Sequence, residues 1–360
     1  MLVEFKRAEM IAYEGKYMNK NKNKNLLSGL LLFACSALAP QQLYAEKADY
    51  LRPDLTVPAD NISSPARVTL GKNLFFDPRL SGSRWISCAT CHNPGLGWAD
   101  GLATGIGHGM GGLLRSSPTV INTAYNKFQF WDGRARTLEA QAVEPIKAAG
   151  EMARDMKELT IELESIAGYK KMFDKAYPGE GVSETTIGKA LAAFERTLIT
   201  ADAPFDRWVA GDETAMSDAA KRGFEVFEGK GQCDLCHSGF NFQDDGFHNI
   251  GIQQDPPDAG RYNVRPVAIL MGAFKTPTLR EITRTSPYMH NGSYKTLLEV
   301  VDHYDRGGDT DKNLSPNIRP LGLTQSEKTD LVAFMVALVT EKPLAVTLPN
   351  LPQISPEYPQ

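Results

Sequence analysis

Two five-residue stretches carry the most direct chemistry. Cys88-Ala89-Thr90-Cys91-His92 and Cys233-Asp234-Leu235-Cys236-His237 each set two thiols three positions apart, with a histidine directly after the second. This is the spacing by which c-type haem is attached: thiols one turn apart reach the two vinyl groups of one porphyrin, and the histidine falls beneath the iron as an axial ligand. A dithiol redox pair needs no histidine, and a zinc site would have to draw the two pairs together across a long intervening segment. Two tight disulfides would leave both histidines without a role. The residues therefore predict two covalently bound c-type haems, one held by Cys88, Cys91 and His92 and the other by Cys233, Cys236 and His237.

The elements that must position these motifs also recur. Gly71-Lys72-Asn73-Leu74-Phe75 precedes the first motif and Gly223-Phe224-Glu225-Val226-Phe227 precedes the second. After each motif comes a second matching stretch, Leu191-Ala192-Ala193-Phe194-Glu195-Arg196-Thr197-Leu198 and Leu331-Val332-Ala333-Phe334-Met335-Val336-Ala337-Leu338. Leu, Ala, Phe and Leu fall at the same offsets, on one helical face. Thr324 followed by Glu327 forms a capping box ahead of the second of these helices. A repeat of this length means duplicated domains. The expected fold is mainly α, two tandem class I cytochrome c-like domains. The expected boundaries are an N-terminal haem domain at 46–205, a C-terminal haem domain at 206–342 and an extended tail at 343–360. The loops 244–277 and 306–320 are expected to wrap the second haem.

Composition bounds the rest. Of 360 residues, 42% are hydrophobic and 23% charged, with a net charge of −4, a globular balance. No basic block follows the predicted leader, which argues against nucleic acid as a partner. Residues 1–45 read as a secretion signal: Lys20, Lys22 and Lys24 precede the short apolar run 26–39, with cleavage expected after Ala45 and Met18 as the expected start. A lipoprotein attachment at Cys35 is the competing reading of the leader. Export to the periplasm follows from either, and no later segment is apolar enough to span a bilayer.

From about Pro58 to Glu341 the chain resembles the di-haem cytochrome c peroxidase/MauG family. The landmarks are Phe130-Trp131-Asp132-Gly133-Arg134, Leu138-Glu139-Ala140-Gln141-Ala142, Glu151-Met152, Pro204-Phe205-Asp206, Phe247-His248-Asn249-Ile250-Gly251, Thr276-Pro277-Thr278-Leu279-Arg280 and Pro287-Tyr288-Met289-His290-Asn291-Gly292. The resemblance implies an enzyme that uses hydrogen peroxide at the N-terminal haem, with His92 as that haem's proximal ligand. It implies Glu151 as the proton-transfer group and Gln141 as its companion in the distal pocket. Trp131 matches the tryptophan placed between the haems. Ser116, Thr285 and Pro287 match positions that hold a calcium ion, although relatives usually carry asparagine where Ser116 stands, and a hydroxyl is the poorer ligand.

Two positions separate branches of that family. Conventional peroxidases place a methionine where this chain has Tyr304, and MauG-like members place a tyrosine. A phenolate favours ferric and higher-valent iron, whereas a thioether favours ferrous iron. Met271 and Met289 are the rival ligands. His108, in a glycine-rich loop, matches the histidine that caps the resting peroxidatic haem in conventional peroxidases, where it acts as a switchable ligand. MauG-like members also carry a tryptophan two residues before the second motif, where this chain has Gly231, and Trp208 is expected to be a packing residue. The partners so implied are a small cytochrome c or cupredoxin donor, or a protein substrate. The rival from another class is a di-haem electron carrier with no turnover.

Overall fold

The computed structural model describes residues 47–353; the leader and Cys35 lie outside the described residues. Its frame is two pairs of crossed helices. In the first half, α1 (Pro65–Phe76) opens on Pro65 with the Ser64 hydroxyl accepting from the Arg67 amide, an ordinary N-cap. A short turn, α2 (Cys88–Cys91), follows. The helices α3 (Leu138–Lys147), α4 (Met156–Ser165), α5 (Ala167–Ala176) and α6 (Glu184–Glu195) complete this half. The second half holds α7 (Pro204–Val209), α8 (Asp218–Glu228), α9 (Leu297–Arg306) and α10 (Gln325–Ala337). The only strands among the described residues are β1 (Phe247–His248) and β2 (Phe274–Lys275), antiparallel with Phe247 opposite Lys275.

The repeated sequence blocks meet at equivalent crossings. α1 packs on α6 and α8 packs on α10. At each crossing a glycine lets two backbones touch. A Cβ on Gly71 would stand 1.8 Å from the Ala190 carbonyl oxygen, and one on Gly223 would stand 1.9 Å from that of Asp330. No side chain fits there. The capping box expected at α10 forms: the Thr324 amide donates to Glu327 at 2.7 Å and the Glu327 amide donates to the Thr324 hydroxyl at 3.3 Å.

Each half has its own apolar core, one built on Leu70, Phe75, Trp98, Leu191 and Phe194, the other on Phe205, Phe224, Phe242, Leu331 and Phe334. The chain ends are exchanged between them. Tyr50, expected in the first domain, packs edge-on against Phe205 and Phe224 of the second core. The tail does more than lie extended over the surface. Leu344 and Val346 pack on the first core, the Leu344 carbonyl accepts from the Trp98 indole at 3.1 Å, and the Pro352 carbonyl accepts from Arg79 at 2.9 Å. Apolar area decides this, since the tail's leucine and valine find unfilled core surface in the other half. Among the described residues, no helix is long and apolar enough to cross a membrane.

Candidate functional site

The second cysteine motif opens onto a cavity of about 270 Å³. Cys233, Cys236 and His237 form part of its wall, with Tyr304 of α9 and Met335 of α10. The His237 ring is fixed, because its Nδ1 donates to the Phe242 carbonyl at 2.8 Å. That bond sets the tautomer and leaves the Nε2 lone pair unprotonated. Burial pushes its pKa down to about 4, so the ring is neutral and ligand-competent at pH 7. Burial, then the nearby thiols of Cys233 and Cys236, pushes the Tyr304 hydroxyl well above its ordinary value. Of the rival methionines, Met289 lines the cavity; Met271 is not in its wall and instead offers its carbonyl to Asn249 at 3.0 Å. The expected loops do contribute, through His248, Phe274, Lys275 and Asn317 to Arg319.

The first motif is a helical turn capped by reciprocal bonds between Ser87 and Thr90. His92 closes it, its amide donating to the Cys88 carbonyl at 2.9 Å. Its Nδ1 is buried without a hydrogen-bond partner, and burial lowers the pKa of the ring. An orphaned buried imidazole costs about 1–3 kcal/mol unless something else holds the ring. All four described cysteines are free, with burial raising Cys91 to about 11 and Cys233 to about 12. The four free thiols and the neutral histidines fit a haem attached at each motif, and at the second motif an apolar cavity adjoins them.

Glu151 sits in the turn after α3. Its amide donates to the Ala148 carbonyl at 3.0 Å, and burial raises its pKa above the usual carboxylate range, against the pull of Arg134. It also acts electrostatically on Cys91, which ties it to the first motif. Gln141 is half-buried on α3. The His108 loop docks on the same turn: its amide donates to the Gly150 carbonyl at 3.1 Å, and Gly107 lies so close that a Cβ would stand 1.9 Å from that oxygen. The His108 ring itself is exposed.

Trp131 and the trio Ser116, Thr285 and Pro287 all line the cavity at the second motif. The Trp131 indole donates to the Ser116 carbonyl at 2.9 Å, and the Ser116 amide donates to the His290 carbonyl at 2.7 Å. Gly231 has no room for a larger residue, since a Cβ would stand 2.8 Å from the Val226 carbonyl oxygen. Trp208 is buried against Phe205 and Phe224 and donates to Glu213, a packing position.

Several charged residues of the landmark motifs have partners that local spacing does not reveal. Arg115 bridges Asp132 and Asp258, each at 2.7 Å. Arg280 is 1% exposed and reaches Asp206 at 2.6 Å, joining two landmarks 74 positions apart. The landmarks marked Asp132, Asp206 and Arg280, but nothing local marked the pairing. Asp244 and His248, 2.8 Å apart, approach Cys236 in a group of metal-ligand type, whose cysteine belongs to the second motif.

Helical halves that each present a Cys-x-x-Cys-His motif at a helix crossing define a cytochrome c-type oxidoreductase. The family model for di-haem cytochrome c peroxidase matches residues 65–214. The chain is 46% identical to the methylamine utilization protein MauG of Methylorubrum extorquens, over 89% of this chain and 91% of that protein. It is 37% identical to the cytochrome c551 peroxidase of Pseudomonas aeruginosa, over 79% of this chain and 81% of that one. A crystal structure of a MauG-like protein associated with microbial copper homeostasis superposes with a TM-score of 0.76 at 31% identity, covering 82% of this chain and 95% of that chain. The chain belongs to the di-haem cytochrome c peroxidase family, and with it to an enzyme class whose cofactor is haem. The resemblance carried by the landmark motifs is borne out.

Proposed function

We propose that this is an exported, periplasmic di-haem peroxidase of MauG-like type, with one covalent c-type haem in each half. The observation that carries this reading is the shared wall of one cavity, where Cys233, Cys236, His237, Tyr304 and Trp131 converge. Haem, when bound, supplies an iron that cleaves the peroxide O–O bond and stores the oxidising equivalents.

The chain's own residues do the remaining work. His92 and His237 each present a neutral ring nitrogen to the metal. Glu151, half-buried, accepts the proton of the nearer peroxide oxygen and returns it to the farther one, so that water leaves rather than hydroxide. Gln141 orients the bound oxidant through its carboxamide. Tyr304 would help His237 hold the haem iron of the C-terminal half, and Trp131 offers an oxidisable indole between the two halves. His108, on a loop hinged by glycines and seated beside Glu151, is the switchable cap of the first site. Ser116, Thr285 and Pro287 supply a calcium site at the junction. The electrons come from a small cytochrome c or cupredoxin, or from a protein substrate. A tyrosine ligand favours the protein substrate, while the closed space at Gly231 denies it the tryptophan route of MauG-like relatives.

The test is the optical spectrum of the oxidised, haem-loaded protein. A high-spin component that shifts on adding peroxide is expected. A wholly low-spin spectrum that ignores peroxide, before and after one-electron reduction, overturns the reading in favour of an electron carrier.

A further inference from the structure

The two halves differ sharply in chemistry at one shared position. Gly71 meets Ala190 and Phe194 as Gly223 meets Asp330 and Phe334, which fixes the register of the closing helices. Phe194 therefore answers to Phe334, and the next residue, Glu195, answers to Met335. Met335 lines the cavity at the second motif together with Cys233 and Cys236. Glu195, at 5% exposed, acts electrostatically on Cys88 of the first motif. A carboxyl thus stands in the first half where a thioether stands in the second.

Nothing nearby neutralises that carboxyl. Among the described residues no hydrogen bond or ion pair reaches it. The charged groups that act on it are Arg196 at the end of its own helix and Glu139 of α3. Arg196 pairs with Glu139 instead, at 2.7 Å, and Glu139 also accepts from Asn61 at 2.8 Å. Helix α1, packed on the same helix, brings no resolved charge to it. A buried carboxylate without a partner is costly, so the group favours its protonated form, and burial lifts its pKa to about 8. Such a group beside a centre that gains one negative charge on reduction must answer that change.

We infer that Glu195 is the redox-linked proton site of the first half: as a one-electron donor reduces ferric to ferrous iron there, one proton from solvent binds a Glu195 carboxylate oxygen. One electron and one proton enter together, and net charge in the pocket is unchanged. The second half, with Met335 in the equivalent place, lacks this coupling. The inference rests on residues 88–92 holding haem.

The test uses the full, haem-loaded chain in spectroelectrochemical titrations from about pH 6 to about pH 9, a range that spans a carboxyl raised by burial. A tenfold change per pH unit for one electron is about 59 mV, so the first haem's midpoint should stay level where Glu195 is protonated in both oxidation states and fall by about that amount per unit above about pH 8, where the carboxylate stands ionised until reduction. Glu195→Gln and Glu195→Met should each flatten the slope; methionine is the residue the second half already accepts on this face. The reduced-minus-oxidised infrared spectrum should show a protonated-carboxyl band that Glu195→Gln removes. A slope that survives both substitutions, or a wild-type spectrum without that band, overturns the inference. Haem content separates the two failures: no haem at Cys88 and Cys91 overturns the underlying reading as well, whereas a loaded haem with an unaltered slope overturns only the role of Glu195.

Discussion

The indole of Trp131 donates to the carbonyl of Ser116 at 2.9 Å, and the Ser116 amide in turn donates to the His290 carbonyl at 2.7 Å. The Phe-Trp-Asp-Gly-Arg landmark of the first half is thereby pinned to the Tyr-Met-His landmark of the second through a single serine. Trp131→Phe keeps a ring and removes the bond. It should lower stability by about 1–3 kcal/mol, the cost of leaving a buried carbonyl unpaired. A thermal melt of the haem-loaded protein measures this. Oxidation of the second haem by peroxide should also slow, followed by stopped-flow absorbance; unchanged kinetics would remove Trp131 from the electron path.

Tyr304 is proposed to help His237 hold the second haem. Tyr304→Phe should alter the spectrum of that haem alone and leave the first untouched. Should the spectrum stay as it was, Met289, which shares the cavity wall, takes the ligand position.

Burial raises the Glu151 pKa, with Glu144 adding to it and Arg134 opposing. The proton-accepting form is the carboxylate. The peroxide reaction should therefore be slow at low pH and gain rate as pH rises through a pKa above the ordinary carboxylate value. Glu151→Gln should slow the reaction by about 10²–10⁴-fold and erase that inflection. Stopped-flow rates against pH decide it, and a rate that ignores the substitution excludes the residue.

Arg280 is buried, with its Nη1 donating to both carboxylate oxygens of Asp206 and its Nε donating to the Phe240 carbonyl at 2.8 Å. Asp206→Asn strands the guanidinium in a medium that cannot solvate it. The expected loss is about 3–5 kcal/mol, because removing one partner of a buried pair costs more than the pair itself contributed. Urea unfolding monitored by circular dichroism gives the value. A loss below about 1 kcal/mol would mean that water reaches Arg280 and behaves like solvent at a surface pair.

What the sequence determined by itself was local. Two thiols and a histidine within five residues predict attachment chemistry through spacing alone. The Thr324–Glu327 box and the apolar face from Leu331 to Leu338 declare a helix and its start for the same reason: partners three or four positions apart must meet once a helix forms. The repeat of Gly71 and Phe194 in Gly223 and Phe334 was visible as text, but its meaning as a backbone crossing was not.

Tertiary structure alone decided the encounters between distant residues. Tyr50 lies in the second core, Leu344 caps Trp98 of the first, Arg280 finds Asp206, and Glu195 stands near Cys88 with its neighbouring arginine engaged elsewhere. Periodicity assigns a side chain to a face, but which surface that face meets depends on how two cores share out the remaining apolar area. Burial follows from that packing, and with it the protonation state of a carboxyl such as Glu151 or Glu195.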